Sequence, residues 1–328
     1  MSATRSDPAT SASSAPARPS RTATLLLAAA LALAAAVSLG LSRFSYALLL
    51  PPMRGDLGWS YLTAGAMNTV NAAGYLIGAL LMPIVMRRFG ARRALLAGGF
   101  GSALLLAGHG LTTNDTSLYA LRVLTGIASA AMFVAGGLMA ARLASQAEAH
   151  AAGLVLGIYY GGIGVGIVVS ALLVPVLSAR AVPHAWQAAW IALGAAALVA
   201  TTVTALATRG LDPRSGPSTP RAPFAWRRFV CGLIGYFLFG LGYIGYMTFV
   251  VTLLREQHLA DGLITLFYAL LGLAGIASSW GWAGLLQRER GGGAMRLLCA
   301  LVAVATVLPV LSAHPVAVFA SGLLFGGV

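Results

Sequence analysis

Charge is what this sequence has least of. Only 9% of its 328 residues are Asp, Glu, Lys or Arg, against about a quarter in a soluble domain, so the chain cannot clothe itself in a polar surface. The acidic residues number eight (Asp7, Asp56, Asp115, Glu148, Asp212, Glu256, Asp261 and Glu289) and fall between apolar runs or at their ends. No carboxylate therefore stands mid-run as an acid, base or counter-ion. The two cysteines, Cys231 and Cys299, sit inside apolar runs and form neither a disulfide framework nor a thiolate cluster. Five histidines (His109, His150, His184, His258, His314) lack ligand spacing, so no metal is expected. G-x-S-x-G, H-E-x-x-H and paired intramembrane aspartates are also missing, which argues against an enzyme and against a cofactor.

What is present is apolar. Hydrophobic residues make up 59% of the chain, with 40 glycines among the rest. Runs of roughly 20 apolar residues recur along nearly its whole length, each sufficient to cross a bilayer as a helix. The chain reads as an all-α, multi-pass membrane protein. Complete spans are expected near 24–50, 60–86, 94–112, 116–139, 152–178, 186–208, 228–254, 262–287 and 294–312. A tenth begins near 315 and is still apolar at "FASGLLFGGV", so the bundle reads as truncated within helix ten. "LALAAAVS" (31–38) imitates a signal-peptide cleavage site. The run around it continues for about 27 residues, too long for a signal-peptide core, and is read as the first span.

All 21 basic residues are arginine, and their placement sets the orientation. With the N-terminus inside, cytoplasmic segments carry sixteen of them and the opposite loops three, Arg54, Arg180 and Arg255. Arg43 and Arg122 remain within spans. The positive-inside rule is met in this one orientation, and the net charge of +13 reflects topology rather than a nucleic-acid partner. Residues 1–22, rich in Ser, Pro and Thr, read as a disordered cytoplasmic tail. After six spans (23–208) comes a Pro-, Ser- and Arg-rich cytoplasmic linker at 209–227, followed by an incomplete second set at 228–328.

The two sets repeat each other. A shift of 200 residues lays "LGLSRFSYALLL" (39–50) on "FGLGYIGYMTFV" (239–250), pairing Gly40 with Gly240, Leu41 with Leu241 and Tyr46 with Tyr246. It also lays "LYALRVLTG" (118–126) on "VFASGLLFG" (318–326), pairing Gly126 with Gly326. Six helices, a basic linker and the same pattern again describe two halves of parallel topology, and a complete repeat would end near residue 410, by about two further helices.

Several motifs bear on family. "RRFGARR" (87–93) joins helices two and three through a glycine turn at Gly90 flanked by arginines, including Arg92 and Arg93. Helix four contains "RVLTGIASA" (122–130), an R-x-x-x-G element at Arg122 and Gly126. Helix five carries Gly153, Gly157, Gly161, Gly162, Gly164 and Gly166. Helix one contains Arg-Phe-x-Tyr at 43–46, and helix two Asn-x-x-Gly-Tyr-x-x-Gly at 71–78. Together these resemble the major facilitator superfamily, and within it the uncharacterised bacterial YbfB/YjiJ-type branch. The helix two–three loop departs from the superfamily signature: Arg87 stands where an acidic residue is usual, and Pro83 where a glycine is usual. The resemblance implies a 6+6 helix bundle working by alternating access in the bacterial inner membrane. Helices one and seven would then line a central cavity. Gly90, Arg92, Arg93, Gly126, Gly157 and Gly161 would serve gating and packing.

Arg43 poses the functional question. It lies only about 12 Å from Pro51 and Pro52, so its guanidinium can snorkel to the interface. Alternatively it is a ligand, because an unpaired guanidinium in a low-dielectric cavity is costly unless an anion completes it. Tyr46 follows at i+3, and Tyr243 and Tyr246 stand near the matching positions of helix seven. A planar carboxylate suits guanidinium bidentately. The candidate substrate site is therefore Arg43, Tyr46, Asn71, Tyr75, Arg122, Tyr243 and Tyr246. Asn68 and Asn71 also suit interhelical hydrogen bonding. The expected function is secondary active transport of a small organic solute, an anionic, carboxylate-like one first. The alternatives are a multidrug or other small-molecule exporter and a truncated, non-transporting product. Expected partners are the substrate, the bilayer and protons as one option for a coupling ion, with the protein a monomer.

Overall fold

A computed structural model describes residues 20–147, 149–180, 182–210, 226–282 and 292–328. The N-terminal tail, most of the central linker and the residues that would complete helix eight beyond Trp282 lie outside the described residues. Ten helices are described: α1 Arg21–Leu57, α2 Tyr61–Phe89, α3 Ala91–His109, α4 Asp115–Gln146 and α5 Ala149–Ser178. They continue as α6 Trp186–Ala207, α7 Trp226–Glu256, α8 Asp261–Gly281, α9 Gly293–Leu311 and α10 Pro315–Gly327. No strand occurs among the described residues, as expected where lipid offers the backbone no hydrogen-bond partner.

Eight of these helices are long and apolar enough to cross a membrane. α3 is not among them, because its 19 residues include Arg92, Arg93, His109 and four glycines; one face packs on α4 and α6 and the other leaves Phe100 and Leu104 exposed. Helix ends follow local chemistry. Ser60 and Asn114 accept the backbone N–H groups of Thr63 and Ser117 at 3.0 Å, capping α2 and α4. Gly58 ends α1 with a φ of 65°, in the left-handed region glycine enters freely. α1 departs from expectation in its length: Pro51 and Pro52 lie inside the helix, which runs on to Leu57. Each proline removes one N–H donor but still permits helical φ, so the pair does not end the helix.

Lipid tails are as apolar as leucine, so these helices are held by close packing rather than by exclusion from water. Glycine provides the closeness. A Cβ at Gly74 would come within 2.1 Å of Val123 O, and one at Gly126 within 2.2 Å of Asn71 O, which locks α2 to α4. An added Cβ would come within 2.0 Å of Ala32 O of α1 at Gly162, and within 2.2 Å of Gly272 O of α8 at Gly164 of the same helix. α5 is thus gripped between α1 and α8. The 200-residue shift reappears in space: a Cβ at Gly326 would come within 2.1 Å of Leu271 O, the counterpart of Gly126 on Asn71.

α5 packs along α8 from Gly164 to Gly157, whereas the hydrogen bonds between α1–α6 and α7–α10 among the described residues gather toward the end where α2 begins and α7 ends. Asn68 Nδ2 donates to Thr248 Oγ1 at 2.6 Å, and the Tyr268 hydroxyl to Phe44 O at 2.6 Å. The Tyr61 hydroxyl donates to the Glu256 carboxylate. Residues 68 and 268 are related by the same shift, so each group extends its second helix onto the first helix of the other. At the arginine-rich end, the α7 residues 231–239 are exposed.

Gly164→Ala is expected to destabilise the protein by about 1–3 kcal/mol through overpacking against α8. Gly153→Ala, where a Cβ meets nothing within 4 Å, is expected to be neutral or slightly stabilising. Thermal unfolding of both in detergent checks the pair.

Candidate functional site

The site begins with an irregularity in α1. Residues Ala36–Phe44 form a π-helical stretch, in which N–H groups reach back five residues instead of four; Ser45 N–H, for example, donates to Gly40 O at 3.1 Å. Such wide turns concentrate at functional positions. The extra twist breaks the i, i+3 relation expected for Arg43 and Tyr46. Tyr46 turns into the packed interior, fully buried, where its hydroxyl donates to Ala64 O at 2.8 Å. Arg43 turns the other way, toward α7.

The two intramembrane arginines have opposite surroundings. Arg122 is 1% exposed and its guanidinium is spent: Nε donates to Met67 O (3.3 Å), Nη1 to Ser42 O (3.1 Å) and Nη2 to Asn68 Oδ1 (3.2 Å). The rings of Tyr46 and Trp190 lie 4.7 and 5.8 Å from its carbon. Arg122 was expected on the cavity wall without a protein partner. The structure places it inside α1–α6 as a clamp on α1 and α2, because backbone carbonyls and an amide do the work of a counter-ion. Asn71 likewise faces α4, donating to Arg122 O at 2.9 Å.

Arg43 is half-buried. Its guanidinium carbon stands 5.9 Å from the Tyr75 ring and 6.0 Å from the Tyr243 ring. Among the described residues it has no hydrogen bond or ion pair. The hydroxyls of Tyr75 and Tyr243 have none either. By contrast, Tyr246 bonds to Ser321 Oγ at 2.7 Å and Tyr268 to Phe44 O. Of the seven candidate site residues, then, Arg43, Tyr75 and Tyr243 converge with their polar groups unspent. Tyr46, Asn71, Arg122 and Tyr246 are committed to internal bonds.

Of the three converging residues, Tyr243 lines a cavity of about 550 Å³ bounded by α1, α5, α7, α8, α9 and α10; Arg43 and Tyr75 stand behind its wall. Aromatic rings dominate its wall. Tyr243 stacks on Phe239 (5.9 Å, 9°) and on Phe325 (6.0 Å, 2°), and meets Phe44 edge-on (5.9 Å, 86°). Tyr160 and Tyr236 complete it, with Ser278 and Ser279 as polar elements. Phe325, Tyr160 and Tyr268 went unnoticed in the sequence. Tyr268 was within reach, being the repeat counterpart of Asn68; nothing distinguished the other two from packing residues.

The gating residues fall into two groups. Gly90, with a φ of 86°, reverses the chain between α2 and α3. Arg92 then donates to Thr208 O (2.9 Å) and Ala205 O (3.0 Å), capping the carbonyl end of α6, while Arg93 is exposed. Gly157 and Gly161 face α8 near Ser279, at ordinary to tight contact (3.2 and 3.4 Å for an added Cβ). The closest approaches belong instead to Gly162, Gly164 and Gly166.

A family described as the uncharacterised MFS-type transporter YbfB matches residues 35–328. The chain belongs to this family. Membership of this branch of the major facilitator superfamily makes it a membrane transporter. No curated protein matches it. Among solved structures, a bacterial homologue of the human lysosomal transporter Spinster, inward-facing and unoccupied, is similar with a TM-score of 0.64. Identity is 16%, over 94% of this chain and 74% of that one, a likeness of fold.

The sorting of polar groups separates the two arginines by stability. Arg122→Met takes one donor from each of three oxygens of the YbfB-family bundle and is expected to cost roughly 3 kcal/mol. Arg43→Met, which breaks no protein hydrogen bond, should stay within about 1 kcal/mol of wild type. Thermal unfolding of the two variants is the measurement.

Proposed function

We propose that this transporter moves a small organic anion, carboxylate-like in its charged group and apolar or aromatic in its body. Arg43 would take the carboxylate. Tyr75 and Tyr243 would add hydroxyls to it, and the ring wall formed by Phe239, Tyr243 and Phe325 would take the body. The observation that carries this reading is the convergence of three unspent polar groups, one of which, Tyr243, lines an aromatic cavity. A guanidinium without a protein acceptor is stabilised by the ligand that supplies one.

In this reading, the arginine-rich end and the N-terminus face the cytoplasm of a bacterial inner membrane, by the positive-inside rule. The hydrogen bonds closing the opposite end, and the likeness to an inward-facing homologue, support a cavity open to that side. The six-helix set at 23–208 and the set from 228 would rock about the site. The described spans hold no acidic residue away from their ends, so a coupling proton would travel on the substrate's own carboxyl group. The bundle would act as a monomer.

The test is flux into proteoliposomes of labelled aromatic and aliphatic carboxylates, set against neutral and cationic compounds of similar size. Carboxylate flux is expected in wild type. Arg43→Gln should reduce it about 10- to 100-fold, the loss of one charged hydrogen-bonding group. Carboxylate flux indifferent to Arg43→Gln, or flux of cations alone, would overturn the assignment and favour a drug exporter.

A further inference from the structure

We propose that Tyr268 of α8 is a positioning residue for Arg43, acting through the wide turn of α1. In a continuous α-helix the Leu48 N–H would donate to Phe44 O. Here it donates to Ser45 O (3.1 Å), and Phe44 O accepts the Tyr268 hydroxyl instead (2.6 Å). On the other side of Arg43, Ser42 O accepts from Arg122 (3.1 Å). The carbonyls flanking Arg43 are therefore both held by side chains. One holder, Arg122, belongs with α1 in the first six helices. The other, Tyr268, belongs to α8 and leaves when the two groups separate at this end.

Both ends of α1 are pinned. Ala32 lies under Gly162, the Thr204 hydroxyl donates to Ala30 O (2.8 Å), and Trp186 Nε1 donates to Asp56 (2.5 Å). Residues before the wide turn keep the phase of one pinned end, and residues after it keep the phase of the other. The two phases differ by about one residue, roughly 100° at 3.6 residues per turn. A wide turn that slides past Arg43 therefore swings that side chain by this angle and moves neither end.

Withdrawal of Tyr268 supplies the drive. Phe44 O would be left without a donor in a water-poor interior, a cost the chain removes by recovering the Leu48 N–H. That bond extends regular α-helix back toward Arg43 and turns it onto the face of Tyr46, away from Tyr75 and Tyr243. The anion ligand is thus presented while α8 is packed on α1 and withdrawn when that contact opens. This deepens the reading of Arg43 as the anion ligand and rests on it. It predicts that affinity alternates with the state of the gate.

The test reads where position 43 points. In the full chain carrying Cys231→Ser and Cys299→Ser, the substitution Arg43→Cys supplies a single thiol, and its rate of reaction with N-ethylmaleimide is measured. Adding Tyr268→Phe, which keeps the ring and removes the hydroxyl, is expected to slow that reaction about fivefold, the weight of one neutral hydrogen bond. Thr248→Val, which breaks the Asn68 bond between the same two groups without touching α1, is expected to leave the rate unchanged. No change with Tyr268→Phe, or equal slowing with Thr248→Val, overturns the proposal. Should Tyr268→Phe fail to fold, amide hydrogen exchange on the unaltered chain decides: amides of residues 45–49 must exchange faster than those of 28–35, and equal protection overturns it. Thiol direction and carboxylate flux are separate readouts, so a static position 43 and a flux indifferent to Arg43 are separate failures.

Discussion

A guanidinium cannot remain dry and unsatisfied, and the first six helices are arranged around one that is dry and satisfied. Arg122 draws on a carbonyl of α1, a carbonyl of α2 and the side chain of Asn68. It is covered by Tyr46 and Trp190. Asn68 in turn reaches Thr248 on α7, so the clamp extends to the contact between the two helix groups. Four helices are tied to one side chain in a medium where each unpaired polar atom costs several kcal/mol.

The glycines make that arrangement possible. Each bond of the clamp requires helix backbones near enough for a side chain to reach a neighbour's carbonyl. Gly74 and Gly126 bring α2 and α4 to that distance, and Gly162 and Gly166 do the same for α1 and α5. The second group repeats the packing without the charge: Gly326 meets Leu271 as Gly126 meets Asn71, but Gly322 stands at the position matching Arg122. One group is therefore polar and clamped inside, and the other is aromatic, with Tyr243, Phe239 and Phe325 stacked along the cavity. On the proposed reading, a site between them would offer charge on one side and ring faces on the other, the chemistry an amphiphilic anion needs.

Most of the helical architecture was legible in the sequence, because apolar run length and repeat register each report a bilayer constraint acting on every residue alike. The site was legible only in part. Regular helical periodicity put Arg43 and Tyr46 on one face, and a single wide turn separated them. The census of carboxylates left Arg122 without a counter-ion, and backbone carbonyls, which composition cannot count, supplied what it needed. The expectation that Pro51 and Pro52 mark the end of α1 failed for a related reason, since a missing N–H weakens a helix without obliging it to stop.

The sequence by itself determined that the chain crosses a membrane repeatedly, that its fifth helix is rich in glycine and suited to close packing, and that two arginines lie among apolar residues. Those properties depend on residue type and spacing, which solvent and lipid read locally. The tertiary structure decided which arginine is spent and which is open. A donor is satisfied or free according to the carbonyls that other helices bring within about 3 Å, and those carbonyls come from residues 55 and 80 positions away in the chain.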